Sequence, residues 1–164
     1  MDGLVAAGAE LHVATTGSAR WVRPLLAATF GPELFDLVIT ADDVLELKPA
    51  PEAYRQVVYG AGLDPRHVVA VEDSRNGLSA ARAAGLACVL VTNPYNAEGP
   101  LRGASLVCSG FDDLDADRVL RLTPCQEWRS RRSALTPATP RRGEVCRGEV
   151  SLASGHDELD GFRP

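Results

Sequence analysis

Short apolar runs recur along the first 122 residues, separated by stretches with helical spacing. The runs at 11–15, 35–40, 67–72 and 87–92 predict strands, and 106–108 predicts a short edge strand. The run at 67–72 is almost wholly apolar, as a strand buried on both faces must be. Between 19 and 30, Trp21, Val22, Leu25, Leu26 and Phe30 fall at roughly helical spacing, and Gly31-Pro32 stops the helix. Further helices are predicted over 52–61, opened by Pro51, over 78–84, closed by Gly85, and over 114–122. The first eight residues read as the end of a helix with Gly8 near its C-cap. Residues 41–47 form a connection with room for a helical turn. Lys48-Pro49-Ala50-Pro51 reads as rigid and extended, and Asp64-Pro65 as a turn. Strands alternating with helices imply an α/β fold, a parallel sheet of βαβ units with right-handed crossovers.

From Thr123 onward the pattern ends. Residues 123–164 are rich in Arg, Ser, Thr, Pro, Gly and Glu and have little apolar periodicity. Such a segment buries too little surface to offset its ordering entropy, so it reads as a disordered tail behind a domain spanning 1–122. Arg129, Arg131, Arg132, Arg141 and Arg142 offer charge to an anionic partner, but a solvated tail is the simpler reading. The net charge of −5 argues against a general nucleic-acid binder. No run is long enough to span a membrane, and Met1-Asp2-Gly3-Leu4 is unlike an export signal. The four cysteines are widely spaced, which fits reduced thiols in the cytoplasm rather than zinc ligands or a disulfide frame.

Candidate chemistry gathers at three places. Val13-Ala14-Thr15-Thr16-Gly17-Ser18 ends a strand in hydroxyls and small residues, which suits phosphate oxygens. Leu47-Lys48-Pro49-Ala50-Pro51-Glu52-Ala53-Tyr54 presents a lysine, a mobile charge for phosphate or carboxylate. Val71-Glu72-Asp73-Ser74-Arg75-Asn76-Gly77 delivers two adjacent carboxylates at a strand end, where a hard cation such as Mg²⁺ finds oxygen ligands. Taken alone, the acid pair would equally suit a helix start, Lys48 a solvated surface and Thr15 an ordinary strand end. Tyr54 and Trp21 read as packing residues, His12 and His67 as structural or surface residues.

In order and wording the three motifs resemble the haloacid dehalogenase (HAD) superfamily, in its phosphoglycolate phosphatase and β-phosphoglucomutase-like branch. The resemblance covers residues 1–122. It implies a Rossmann-like three-layer sandwich and a Mg²⁺-dependent phosphatase that acts on a small phosphorylated metabolite through an aspartyl-phosphate. Carried over, Thr15 would bind the transferred phosphoryl group, with Thr16 and Gly17 helping to cradle it. Lys48 would stabilise that group and the nucleophile. Asp73 would bind Mg²⁺ directly and Glu72 directly or through water, while Ser74 and Asn76 shape the metal loop.

The family's first motif, Asp-x-Asp-x-Thr or Val, does not precede Thr15, and the cap domain is absent. Asp42-Asp43 has the wrong spacing, and Asp115-Ala116-Asp117 comes too late. The resemblance places the missing first strand in mid-sheet, between 11–15 and 68–72. The expectation is therefore a truncated, poorly active chain with a gap at its centre. Either the flanking strands pair directly, or a missing segment or partner fills the gap; two open central edges would favour aggregation and marginal stability. The rival reading is a non-catalytic remnant that binds phosphate, Mg²⁺ or a protein. A receiver-like signalling domain is disfavoured because Lys48 precedes the acid pair.

Overall fold

The computed structural model describes residues 1–94, 101–123 and 149–152. Helix α1 (Asp2–Ala6) leads to β1 (Glu10–Ala14), with Gly8 at φ 84° between them, and α2 (Ala19–Phe30) follows. The chain continues through β2 (Leu37–Ile39), α3 (Glu52–Ala61), β3 (Val68–Glu72), α4 (Arg75–Ala83), β4 (Ala87–Val91), β5 (Leu106–Cys108) and α5 (Ala116–Leu120). A last strand, β6 (Glu149–Leu152), belongs to the same sheet. The strand order is β2-β1-β6-β3-β4-β5, with every pairing parallel. No helix among the described residues is long and apolar enough to cross a membrane.

Alternation along the strands divides the core between two faces. Val68 and Ala70 of β3 join Ala14, Cys88 and Leu90 beneath α3 and α4, packed against Tyr54, Val57, Leu78, Ala80 and Ala81. Val69 and Val71 join Leu11, Val89, Val91 and Cys108 on the other face, packed against Leu4 of α1 and Val119 of α5. All five residues of β3 are buried, which explains why its sequence lacks the polar alternation of a one-sided strand.

Most boundaries move for local reasons. Asp64 accepts from the Arg66 amide, so Pro65–His67 is a 3₁₀ turn rather than the start of β3. Ser74 caps α4 by accepting from the Gly77 amide (3.0 Å), so that helix begins at Arg75 instead of 78. The expected extended stretch around Lys48 is a turn, with Ala50 N donating to Leu47 O (2.9 Å) and a cis Lys48–Pro49 peptide. Trp21, expected to pack, lies against Gly17 but stays 45 % exposed on α2.

The larger correction concerns the tail and the centre of the sheet. Four residues expected to be disordered, Glu149–Leu152, form β6, and the gap expected between β1 and β3 is occupied. Glu149, Val150, Ser151 and Leu152 pair with 10–13 on one side and 68–71 on the other. The physical reason is the one that made the gap unfavourable: two central edges with unpaired backbone groups accept any strand that reaches them. The other residues of the expected tail, 124–148 and 153–164, lie outside the described residues.

Burial pushes the Cys88 thiol up to about 12, reinforced by the Glu72 carboxylate and opposed by the Lys48 ammonium. A thiol whose folded pKa is raised stabilises the fold below its unfolded value, near 9.0, and loses that contribution as pH rises toward 12. We predict that iodoacetamide at pH 8.5 leaves Cys88 unmodified in the folded chain, read by peptide mass spectrometry, and that stability falls between pH 9 and 11. Rapid alkylation of Cys88 without unfolding would contradict this.

Candidate active site

The carboxyl-terminal ends of β1 and β3 and the loop before α3 converge on one buried ion pair. Lys48 Nζ donates to Glu72 Oε1 at 2.7 Å and to the Ala14 carbonyl at 2.9 Å. The side chains are 3 % and 0 % exposed. The Tyr54 hydroxyl also donates to Glu72 Oε1 through a short hydrogen bond, and Lys48 Nζ lies 4.9 Å from the centre of the Tyr54 ring. Glu72 Oε2 is 3.4 Å from Ser74 Oγ.

Each member is held from its own element. Glu52, in the first turn of α3, accepts from the Leu45 and Glu46 amides (3.0 and 2.8 Å), which fixes the loop leading to Lys48. Gln56, one turn on, donates to Asp43 O at 2.8 Å. Tyr54 is fully buried on the sheet-facing side of α3. Glu72 closes β3, and its carboxylate lies against the first turn of α4. A Cβ on Gly77 would sit 1.8 Å from Glu72 Oε2, so only glycine leaves room for the acid there.

Burial dominates the electrostatics. Removal from water lowers the Lys48 ammonium pKa and raises that of Glu72, while each partner's charge opposes the shift. The same burial, with the adjacent Glu72 charge, holds the Tyr54 hydroxyl well above its ordinary range. Tyr54 therefore serves as a neutral proton donor to Glu72.

Thr15 follows β1 and is buried. Its amide donates to Ile39 O (2.9 Å), and its Oγ1 accepts from the Gly17 amide (3.1 Å). Gly17 is tightly packed; a Cβ there would meet Trp21 at 2.6 Å and Val22 at 2.8 Å. Thr16 and Gly17 are half-buried. Asp73, next to Glu72, is half-buried too, and its carbonyl accepts from Asn93 Nδ2 at 3.0 Å. Thr15, Lys48, Glu72 and Asp73 therefore share one edge of the sheet.

The donor chemistry fits a hard cation at the end of β3. Asp73 could supply one carboxylate and Glu72 Oε2 a second oxygen, while Oε1 is engaged by Lys48 and Tyr54. A different cluster lies at the opposite end of β1, where ligand atoms of Glu10, His12 and Asp36 fall within 4.8 Å of one another. Its imidazole makes it less suited to a hard cation, and Asp36 Oδ2 already accepts from the Leu11 amide at 3.3 Å.

Two site residues escape sequence reasoning. Tyr54 was expected only to pack, yet its hydroxyl grips Glu72; the signal was its place six residues after Lys48 in the same motif. Asn93 carried no signal beyond its position after a strand. The acids that fail as an Asp-x-Asp motif have structural tasks. Asp42 accepts from Ser18 Oγ (3.2 Å) and the Ala19 amide (2.8 Å), and Asp43 accepts from the Thr40 amide (2.8 Å) and hydroxyl (2.7 Å).

Residues 2–85 match the haloacid dehalogenase-like hydrolase family. The chain belongs to that family. Among its relatives, CbbY of Cereibacter sphaeroides is 39 % identical over 120 residues, covering 71 % of this chain and 52 % of that one. Phosphoglycolate phosphatase 1 of Pseudomonas aeruginosa is 35 % identical over 109 residues, covering 65 % and 40 %. A crystal structure of CbbY from Rhodobacter sphaeroides in complex with phosphate superposes with a TM-score of 0.68 at 36 % identity, covering 73 % of this chain and 55 % of that one. This chain thus spans about half the length of the hydrolases it matches, and its α/β fold is theirs.

Removing one partner of a buried pair strands the other charge, at a cost of about 3–5 kcal/mol. Lys48→Met should therefore lower the denaturation midpoint strongly, and adding Glu72→Gln should recover part of the loss. Equal destabilisation by the single and double variants in urea titrations would refute the pairing.

Proposed function

We propose that this chain carries the phosphate- and metal-binding half of a Mg²⁺-dependent phosphatase centre whose substrate is a small phosphate ester. The observation that carries this reading is the buried Lys48 ammonium. It lies between β1 and β3 at the same sheet edge as Thr15 and Asp73. An ammonium has three N–H donors, and Ala14 O and Glu72 Oε1 take two. In this reading the third points to a phosphoryl oxygen, and the Thr15 hydroxyl and the backbone at Thr16 and Gly17 hold the others. Asp73 holds Mg²⁺ directly, with Glu72 Oε2 beside it. Bound there, the ion neutralises charge on the transferring group. Tyr54 and Lys48 keep Glu72 fixed, so the site is organised before substrate arrives. Family membership supports the reading, as does the phosphate in the related CbbY crystal structure.

No Asp-x-Asp motif precedes Thr15 to supply a nucleophile. The residues named here supply positioning and electrostatics; a covalent step would need a nucleophile besides them. The second reading is a non-catalytic unit that binds phosphate and Mg²⁺. Calorimetry on the 164-residue chain with Mg²⁺ and inorganic phosphate tests the shared part. Phosphate binding should require Mg²⁺ and weaken about tenfold or more in Asp73→Asn, which loses one ionic ligand, without a change in melting temperature. Binding indifferent to Mg²⁺ and to Asp73 would overturn it. Metal-dependent hydrolysis of an aryl phosphate would reject the non-catalytic reading.

A further inference from the structure

We infer that the gap between β1 and β3 is a strand-acceptor slot, and that its occupant, Glu149–Leu152, is exchangeable. The slot is parallel on both sides and pairs with 10–13 and 68–71, so any strand entering it must run toward the edge that carries Thr15 and Glu72. It is two strand spacings wide, about 9.5 Å from β1 to β3. Without an occupant both central edges would expose unpaired amides and carbonyls.

Three observations make the occupant replaceable. β6 has only four residues, and a backbone ladder on two sides accepts many sequences. Twenty-five residues, 124–148, separate it in sequence from Thr123, so sequence proximity does not dictate insertion. The Gly-Glu-Val of 148–150 also occurs at 143–145, so the sequence holds two similar tripeptides. Such repetition weakly specifies register.

The slot is tied to the site above it. Leu152 pairs with Val13 and Val71, and the next residues along the flanking strands are Ala14 and Glu72. There Lys48 bridges the same two strands, through Ala14 O and Glu72 Oε1. The strand and the ammonium thus close successive levels of one gap, and β6 sets the spacing at which Lys48 reaches both partners. This inference rests on sheet topology and does not depend on the proposed phosphatase chemistry.

The experiment uses the full chain and a fluorescein-labelled peptide of its residues 146–155. Hydrogen exchange should slow the amides of 150–152 about a hundredfold relative to the free peptide. Ser151→Pro removes a ladder amide, which a central strand does not tolerate. That variant should bind the peptide roughly a hundredfold more tightly than the wild type, whose tethered strand competes at millimolar effective concentration. If the variant is recovered only as aggregate, refolding with excess peptide should yield monomer. Unprotected amides at 150–152, equal peptide binding by both chains, or no rescue on refolding would each overturn the inference.

Discussion

One buried cation holds the working edge of this molecule together. The parallel sheet brings the ends of β1 and β3 near each other but leaves a strand's width between them. Lys48 spans that width, with a backbone carbonyl on one side and the Glu72 carboxylate on the other. Burying two charges is unfavourable unless their remaining hydrogen-bonding capacity is met. Tyr54 helps to meet it for Glu72, and glycine at 77 lets the carboxylate settle against the start of α4. The Lys48 loop, α3, β3 and α4 are therefore positioned by one arrangement of charge. The apolar core beneath supplies the dry surroundings that make that arrangement strong.

The parts legible in sequence were those where chemistry and periodicity coincide. An almost wholly apolar run ending in Glu72-Asp73, followed by a turn and a helix, reads as a strand buried on both faces that presents acids at its carboxyl end. Lys48 was singled out by its Pro-x-Pro setting, and Thr15 by the order of the three motifs rather than by its place at a strand end. Tyr54 was not, because a tyrosine on an amphipathic helix reads as packing until its long-range hydroxyl partner is known. Nor was β6. Four residues, Glu149-Val150-Ser151-Leu152, are too few to show a strand period against a polar background. What recruits them is the unpaired edges of β1 and β3, a property of the assembled sheet rather than of the segment.

The arrangement also separates recognition from chemistry. The candidate groups, Thr15, Lys48, Glu72 and Asp73, lie at the ends of β1 and β3 and in the Lys48 loop, all within residues 1–94. Family membership follows from this region, and residues 2–85 match the family. The nucleophile motif that the resemblance implies is not among these residues, so a binding assay on them tests recognition apart from chemistry.

The most direct test of the central claim is to observe the Lys48 ammonium itself by ¹⁵N-resolved NMR of the folded chain. A lysine ammonium locked in a buried pair exchanges its protons slowly enough to give a resolved signal, whereas solvated lysines do not. This account predicts a protected signal that disappears in Glu72→Gln while the backbone spectrum is retained. The absence of a protected lysine signal, or one indifferent to Glu72, would contradict it.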